Sequence, residues 1–242
     1  MDINLLATAN HINGITLAQQ IIIVIDILRS TTCIVTAIAN GCRGVIPAMN
    51  NKEAQLIAKC LDTDTYLLAG ENRGQKMDNF PLGNSPSQFQ PEKIKDKNII
   101  MSTTNGTPSI IKSAGAHMVC IASFLNMRQV SRHAAQTNRN ITIVCAGTQG
   151  KFSLEDTIAA GMLIHHLKSI RKDYNLSDLA LAAKTLYLHH HENLLTPLQT
   201  SRNGRSLIKN GLNEDITFAA QVDIFPIIPV YEGGIVSLAH SL

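Results

Sequence analysis

The chain is 242 residues long, 45% hydrophobic and 16% charged, which allows a sizeable core and excludes a disordered polymer. Its formal charge of +3 is small, Lys and Arg are scattered, and 4 Tyr, 6 Phe and no Trp offer few platforms for stacking bases; this argues against a nucleic-acid partner and for a small anionic ligand. The five cysteines show no Cys-x-x-Cys spacing and read as reduced thiols of a cytoplasmic protein, and with Asp26 breaking the longest apolar run, neither export nor membrane association is expected.

Residues 1–20 hold a short apolar patch and the turn signal Asn13-Gly14, read as an edge hairpin. Ile21 to Ile25 is apolar throughout and leads into Asp26, Arg29, Ser30, Thr31 and Thr32 before the helical pattern Ile34, Val35, Ile38. A run apolar on both faces suits a strand covered on both sides, and the change of period marks a strand passing into a helix. Asn40-Gly41 stops that helix, Val45 to Pro47 reads as a second strand, and Asn51 is placed as the cap of a helix reaching Cys60. A strand from Tyr66 to Ala69 then enters Gly70–Gly74. Asn79 to Lys93, rich in proline and asparagine, is expected to be irregular yet anchored by Phe80, Leu82 and Phe89.

Asn98 to Met101 is another strand, followed by Ser102 to Pro108, in which Thr107 as N-cap and Pro108 at the first helical position begin a helix ending near Gly115. His117 to Ile121 and Ile141 to Val144 are further strands, the second entering Cys145 to Gly150 and a helix from Ser153. The last third is mainly helical: Ser177 caps one helix, shorter ones lie near Leu207 and Ile216, and Ile224 to Val230, broken by Pro226 and Pro229, reads as an edge strand or extended segment. No linker separates domains. The expectation is one domain over 1–242, a three-layer α/β/α fold with a largely parallel central sheet, on which a helical third, about 175–242, packs as an incipient subdomain.

Three strands therefore end in loops rich in Thr, Ser, Asn, Gly or Cys, and parallel strands joined by crossovers would bring these loops to one sheet edge, where ligands of such sheets gather. Ser30, Thr31 and Thr32, at a helix N-terminus, either cap that helix or bind an anion. Thr103, Thr104, Asn105, Gly106 and Thr107 supply more hydroxyls and amides than one cap needs, with Gly106 admitting a ligand closely. Glu155 and Asp156 either complete a capping box with Ser153 or join Asp26 and Glu71 around a hard divalent cation. Cys145 opens a Cys-x5-Lys loop in which Lys151 stands where cysteine-dependent phosphatases need arginine, so Cys145, like Gly147, reads as a small residue lining the site. Leu28 occupies the place of the second aspartate of haloacid-dehalogenase-type phosphatases. His165-His166 and His189 to His191 point in different directions and read as surface or partly buried positions. Arg202 and Arg205 are placed on a second anionic group.

Taken together, Ile25 to Thr32, Gly70–Gly74, Leu82 to Pro86, Thr103 to Thr107, Cys145 to Asp156 and the late Ser201, Gly204, Leu207, Gly211, Asp215 pattern resemble the 2-phosphosulfolactate phosphatase family over about residues 20–230. One departure is that Asn79 and Pro81 stand where the family has Gly and Asp. The resemblance implies a magnesium-dependent phosphatase that converts 2-phospho-3-sulfolactate to sulfolactate and phosphate, a step toward coenzyme M in some organisms. It adds Asn84 and Ser85 to the substrate-binding residues. Asp26, Arg29 and Asp156 are then the expected catalytic residues, and Asp26, Glu71, Glu155 and Asp156 the expected carboxylates for Mg2+. A phosphatase of another phosphorylated 2-hydroxy acid, or a non-catalytic anion-binding protein, is the alternative, and Leu- and Ala-rich helices leave room for a homodimer.

Overall fold

The computed structural model describes residues 1–12, 17–72 and 74–239; the expected Asn13-Gly14 turn and Arg73 of the Gly70–Gly74 segment lie outside them. Strand β1 (Asp2–Leu6) turns Ile3 and Leu5 inward and Asp2 and Asn4 outward. It is no edge hairpin, because it pairs in parallel with two strands, one on each side. In β2 (Ile21–Ile25) all five residues are buried, and their alternation divides them between two cores: Ile21, Ile23 and Ile25 join one cluster, Ile22 and Val24 the other. Full burial of each such side chain favours folding by about 1.5–3 kcal/mol.

Helix α1 (Ser30–Ala39) follows, buried from Ser30 to Ile38. Next come β3 (Gly44–Ala48), α2 (Asn51–Ala58), β4 (Tyr66–Asn72), β5 (Gln75–Lys76) and the single turn α3 (Pro91–Ile94). The cap of α2 is Asn50, not Asn51, since Asn50 Oδ1 accepts the Glu53 amide at 3.0 Å. The irregular segment before α3 is anchored as expected by Phe80, Leu82 and Phe89, all at most 2% exposed, with one 3-10 turn at Pro86–Gln88.

Strand β6 (Asn98–Ser102) leads to α4 (Gly106–Lys112), which begins before the predicted Thr107 cap. Thr107 cannot serve as that cap because its hydroxyl accepts the Thr103 amide at 2.9 Å and donates to Ala48 O at 2.8 Å, tying the loop to β3. After β7 (Met118–Ala122), α5 (Met127–Gln136) and β8 (Ile141–Cys145), the long helix α6 (Leu154–Ile170) is capped by Ser153, whose Oγ accepts the Asp156 amide. Then follow β9 (Asn175–Leu176), α7 (Asp178–His190), α8 (Leu195–Thr200), α9 (Arg202–Lys209), α10 (Asn213–Ala219), β10 (Pro229–Glu232) and β11 (Ile235–Leu238).

These strands form one sheet in the order β5-β4-β6-β3-β11-β10-β7-β2-β8-β1-β9, covered by helices as a mixed α/β fold. Two parallel blocks, β4-β6-β3 and β7-β2-β8-β1-β9, are joined by the antiparallel β10-β11 hairpin. Of the final run, Ile224 to Ile228 lies outside any strand, in keeping with an extended segment, and only Pro229 and Val230 enter a strand, which lies inside the sheet and not at its edge. Pro229 is tolerated there because the hairpin meets the flanking strands through single pairs, Val230 with Cys120 and Val236 with Val45. Three antiparallel steps across the hairpin also set the two blocks in opposite senses, so the sheet does not have the single shared edge expected for its loops. The loops meet instead where the N-terminal ends of α1 and α4 pack together between the blocks.

Candidate active site

The turn after β2 is built by its own hydroxyls. Thr31 Oγ1 bonds the amide and carbonyl of Asp26, each at 3.0 Å, and Thr32 Oγ1 donates to Ile27 O at 2.8 Å. Ser30, Thr31 and Thr32 are fully buried and shape the turn from behind. Asp26 and Arg29 line a cavity of about 200 Å³ together with Glu71, Asn84, Thr103, Thr104, Asn105 and Arg202.

The second loop is closed by reciprocal bonds between Thr103 and Thr107, the Thr107 amide donating to Thr103 Oγ1 at 3.0 Å. Glu71 joins this loop to its own: Oε1 accepts the Thr104 amide at 2.7 Å and Oε2 the Gly74 amide. Gly106 lies against the first loop so closely that a Cβ there would meet Ser30 and come within 2.6 Å of Asp26 Oδ2. The third loop is tied in by Asp156, whose Oδ1 accepts the Ile27 amide at 2.8 Å and Oδ2 the Gly147 amide at 3.2 Å. Asn105 Oδ1 accepts the Gln149 amide at 3.2 Å. Asp26, Asn105 and Gly147 thus belong to one bonded cluster.

Not every expected residue faces the cavity. Asp156, Glu155, Cys145, Gly106, Gly147 and Thr107 are buried in its supporting wall. Ser85 borders an adjoining hollow of about 310 Å³, whose wall also includes Arg29 and Asn84. Arg205 is exposed, bonds Thr200 O, and stands off the cavity, whereas Arg202 lies on its rim and donates to Gln149 Oε1 at 3.0 Å. Asn203, Ser206 and Asn210 also line the cavity, and none was singled out from the sequence. Their signal is a polar stripe at three- and four-residue spacing on α9. Asn203 Nδ2 donates to Thr148 Oγ1 and Glu155 Oε1, both at 2.8 Å.

The electrostatics concentrate on Asp26. Burial raises its carboxyl to about 7; the Ser30 amide and Arg29 pull down, and the charges of Glu71 and Glu155 push up. Asp156 is raised by burial, then by Glu155 and Asp26. Burial also holds the Cys145 thiol high, with Asp156 adding to it, so this sulfur stays protonated and is a poor nucleophile. Among the described residues no three His, Cys, Asp or Glu side chains gather into a protein-only metal cage. The donor set nevertheless suits a hard cation such as Mg2+, which needs only one or two carboxylates beside waters and substrate oxygens. Asp26 and Glu71 both line the cavity, and a divalent charge beside them would offset the burial and the neighbouring carboxylate charges that together raise Asp26.

Comparison with known proteins covers nearly the whole chain. Residues 6–234 match the family model described as 2-phosphosulpholactate phosphatase. A protein of Caldanaerobacter subterraneus named "Probable 2-phosphosulfolactate phosphatase" is 42% identical over 97% of this chain and 97% of its own length. Proteins with the same name from Symbiobacterium thermophilum and Clostridium beijerinckii are 36% and 34% identical, over 92% and 97% of this chain and 95% and 98% of theirs. The similarity thus runs over nearly the whole length of each chain, and the chain belongs to the 2-phosphosulpholactate phosphatase family.

Proposed function

We propose that this chain is a phosphoric monoester hydrolase that converts 2-phospho-3-sulfolactate and water to 3-sulfolactate and phosphate, assisted by Mg2+, and that it supplies sulfolactate on the way to coenzyme M. The observation that carries this reading is that a carboxylate of elevated pKa, Asp26, and a guanidinium, Arg29, line one cavity together with the Thr103–Asn105 loop. Relatives named for that activity over almost their entire length support the substrate.

In this reading Arg29 and the Asn105 side-chain amide on the cavity wall hold the phosphoryl oxygens and stabilise the negative charge that builds on them. Asp26 and Glu71 would hold the magnesium ion, which when bound supplies Lewis-acid polarisation of a phosphoryl oxygen. Arg202 on the rim meets the second anionic group of the substrate. The P–O bond to C2 breaks, a water oxygen ends on phosphorus, and the leaving oxygen takes a proton. Asp26 either attacks phosphorus itself or receives the proton of the attacking water. The stereochemical course at phosphorus separates these routes, because two successive in-line displacements through a phospho-aspartyl enzyme retain configuration and a single attack by water inverts it.

The test of the function is phosphate release from a panel of 2-phosphohydroxy acids with and without Mg2+. Release from 2-phospho-3-sulfolactate that stops on chelation and resumes on adding Mg2+ is expected. Release that is indifferent to chelation removes the metal, and no release from any member removes the activity.

A further inference from the structure

A buried ion pair joins the last third of the chain to the turn after β2. Arg29 Nη1 donates to Asp215 Oδ2 at 2.6 Å, with both side chains 5% exposed. Ser85 completes a triangle, accepting from Arg29 Nη1 at 2.9 Å and donating to Asp215 Oδ2 at 2.8 Å. Arg29 Nη2 donates to Gly74 O at 3.1 Å. Of the guanidinium's five N–H groups, Nε–H and one on Nη2 have no partner among the described residues.

We propose that Asp215, on α10, is a positioning residue: it fixes the plane of Arg29 so that the two unengaged N–H groups are presented to the phosphoryl oxygens. This rests on the phosphatase reading given above. A buried ion pair adds little to stability, because desolvation cancels most of its attraction, and an apolar pair of similar volume would pack as well. Its value lies in orientation. An arginine has a long flexible stem, and a bidentate oxyanion contact requires the guanidinium to be held in one plane. The alternative partner is close by, since the charge of Arg29 already acts on Asp26. Freed from Asp215, Arg29 would swing toward the cavity carboxylates and cancel the charges that the reaction uses. Gly74 and Ser85 belong to the stretch between β4 and α3 and Asp215 to α10, so the clamp forms only when the helical third is docked.

The test uses the full-length chain with Mg2+, comparing Asp215→Asn, Asp215→Glu, Arg29→Met and the Arg29→Met/Asp215→Asn double variant. Asp215→Asn should lower kcat by roughly 30-fold or more while KM changes less than about threefold. Asp215→Glu should recover part of the loss, and the double variant should be no slower than Arg29→Met alone. Losses that multiply in the double variant, or an unchanged kcat in Asp215→Asn, overturn the proposal. If Asp215→Asn does not fold, Ser85→Ala takes its place, with a loss of about fivefold expected only where Arg29 is present. Binding of inorganic phosphate, read as a thermal shift, separates this inference from the choice of substrate. Should the wild type bind phosphate but release none from 2-phospho-3-sulfolactate, the functional reading fails alone, and phosphate affinity that falls about tenfold in Asp215→Asn but no further in Arg29→Met still supports the clamp. Equal phosphate affinity in wild type and Asp215→Asn counts against it.

Discussion

Asp156 and Gly147 are joined by a hydrogen bond of 3.2 Å from the Gly147 amide to Asp156 Oδ2, while the other oxygen of the same carboxylate holds the Ile27 amide. One side chain at the start of α6 thereby locks together the ends of the neighbouring strands β2 and β8. Both of its oxygens are engaged by backbone amides, and it is not among the residues that line the cavity. Asp156→Ala leaves two buried amides unpaired, at about 1–3 kcal/mol each; relief of repulsion from Glu155 and Asp26 offsets part of this. The prediction is a clear loss of unfolding free energy in urea at pH 8 together with reduced activity. A variant within about 0.5 kcal/mol of wild type would show that these bonds do not tie the loops.

Asp26 predicts a pH dependence of stability. A carboxyl raised in the folded state from 3.8 to about 7 binds its proton more tightly folded than unfolded. Its stabilising contribution is therefore complete below about pH 4 and is lost as pH rises toward 7. In chelator, the melting temperature of wild type should fall relative to Asp26→Asn between about pH 4 and 7, by about 2–4 °C for each kcal/mol lost, and level off above that. Added Mg2+ should shrink the gap in wild type. A difference between the two proteins that stays constant over this range contradicts the raised pKa.

Gly106 has no room for a methyl group, because a Cβ would press on Ser30 and Asp26. Gly106→Ala should displace the first turn and lower kcat by roughly 100-fold. Gly115→Ala serves as the control: its φ of +89° is strained for alanine but its surroundings are open, so it should lose stability and keep its turnover. Equal kcat in both variants would mean that the contact between the two loops does not matter.

Cys145 is fully buried with its thiol held protonated. Cys145→Ser should retain activity within about threefold, and alkylation of the intact enzyme should stop at the exposed Cys60. Complete inactivation of Cys145→Ser, with folding preserved, would instead identify a cysteine nucleophile.

The strand-to-loop-to-helix units were legible because local rules govern them. Five consecutive apolar residues make Ile21–Ile25 a strand buried on both faces, and Ser153, Ser177 and Ser201 cap helices through their own hydroxyls. The residues Asp26, Arg29, Glu71, Thr103, Thr104, Asn105 and Arg202, all named from local motifs, stand around one cavity with Asn84, which the family resemblance supplied. The division of labour among hydroxyls and carboxylates was not legible. Whether Thr31 or Asp156 meets a ligand or a backbone amide depends on partners 5 and 129 residues away.

The sequence by itself determined most of the periodic elements, the caps at Ser153 and Ser177 and the chemical stock of the loops, since each depends on neighbours within a few residues, whereas the caps read at Asn51 and Thr107 were displaced by partners the structure supplies. Only the tertiary structure decided that β10 and β11 enter the middle of the sheet and that its two blocks run in opposite senses. Only it decided, too, that α9 and α10 complete the site through Asn203 and Asp215. The physical reason is that burial and charge pairing are set by which surfaces meet in space, and a residue's own neighbours in the chain say little about that.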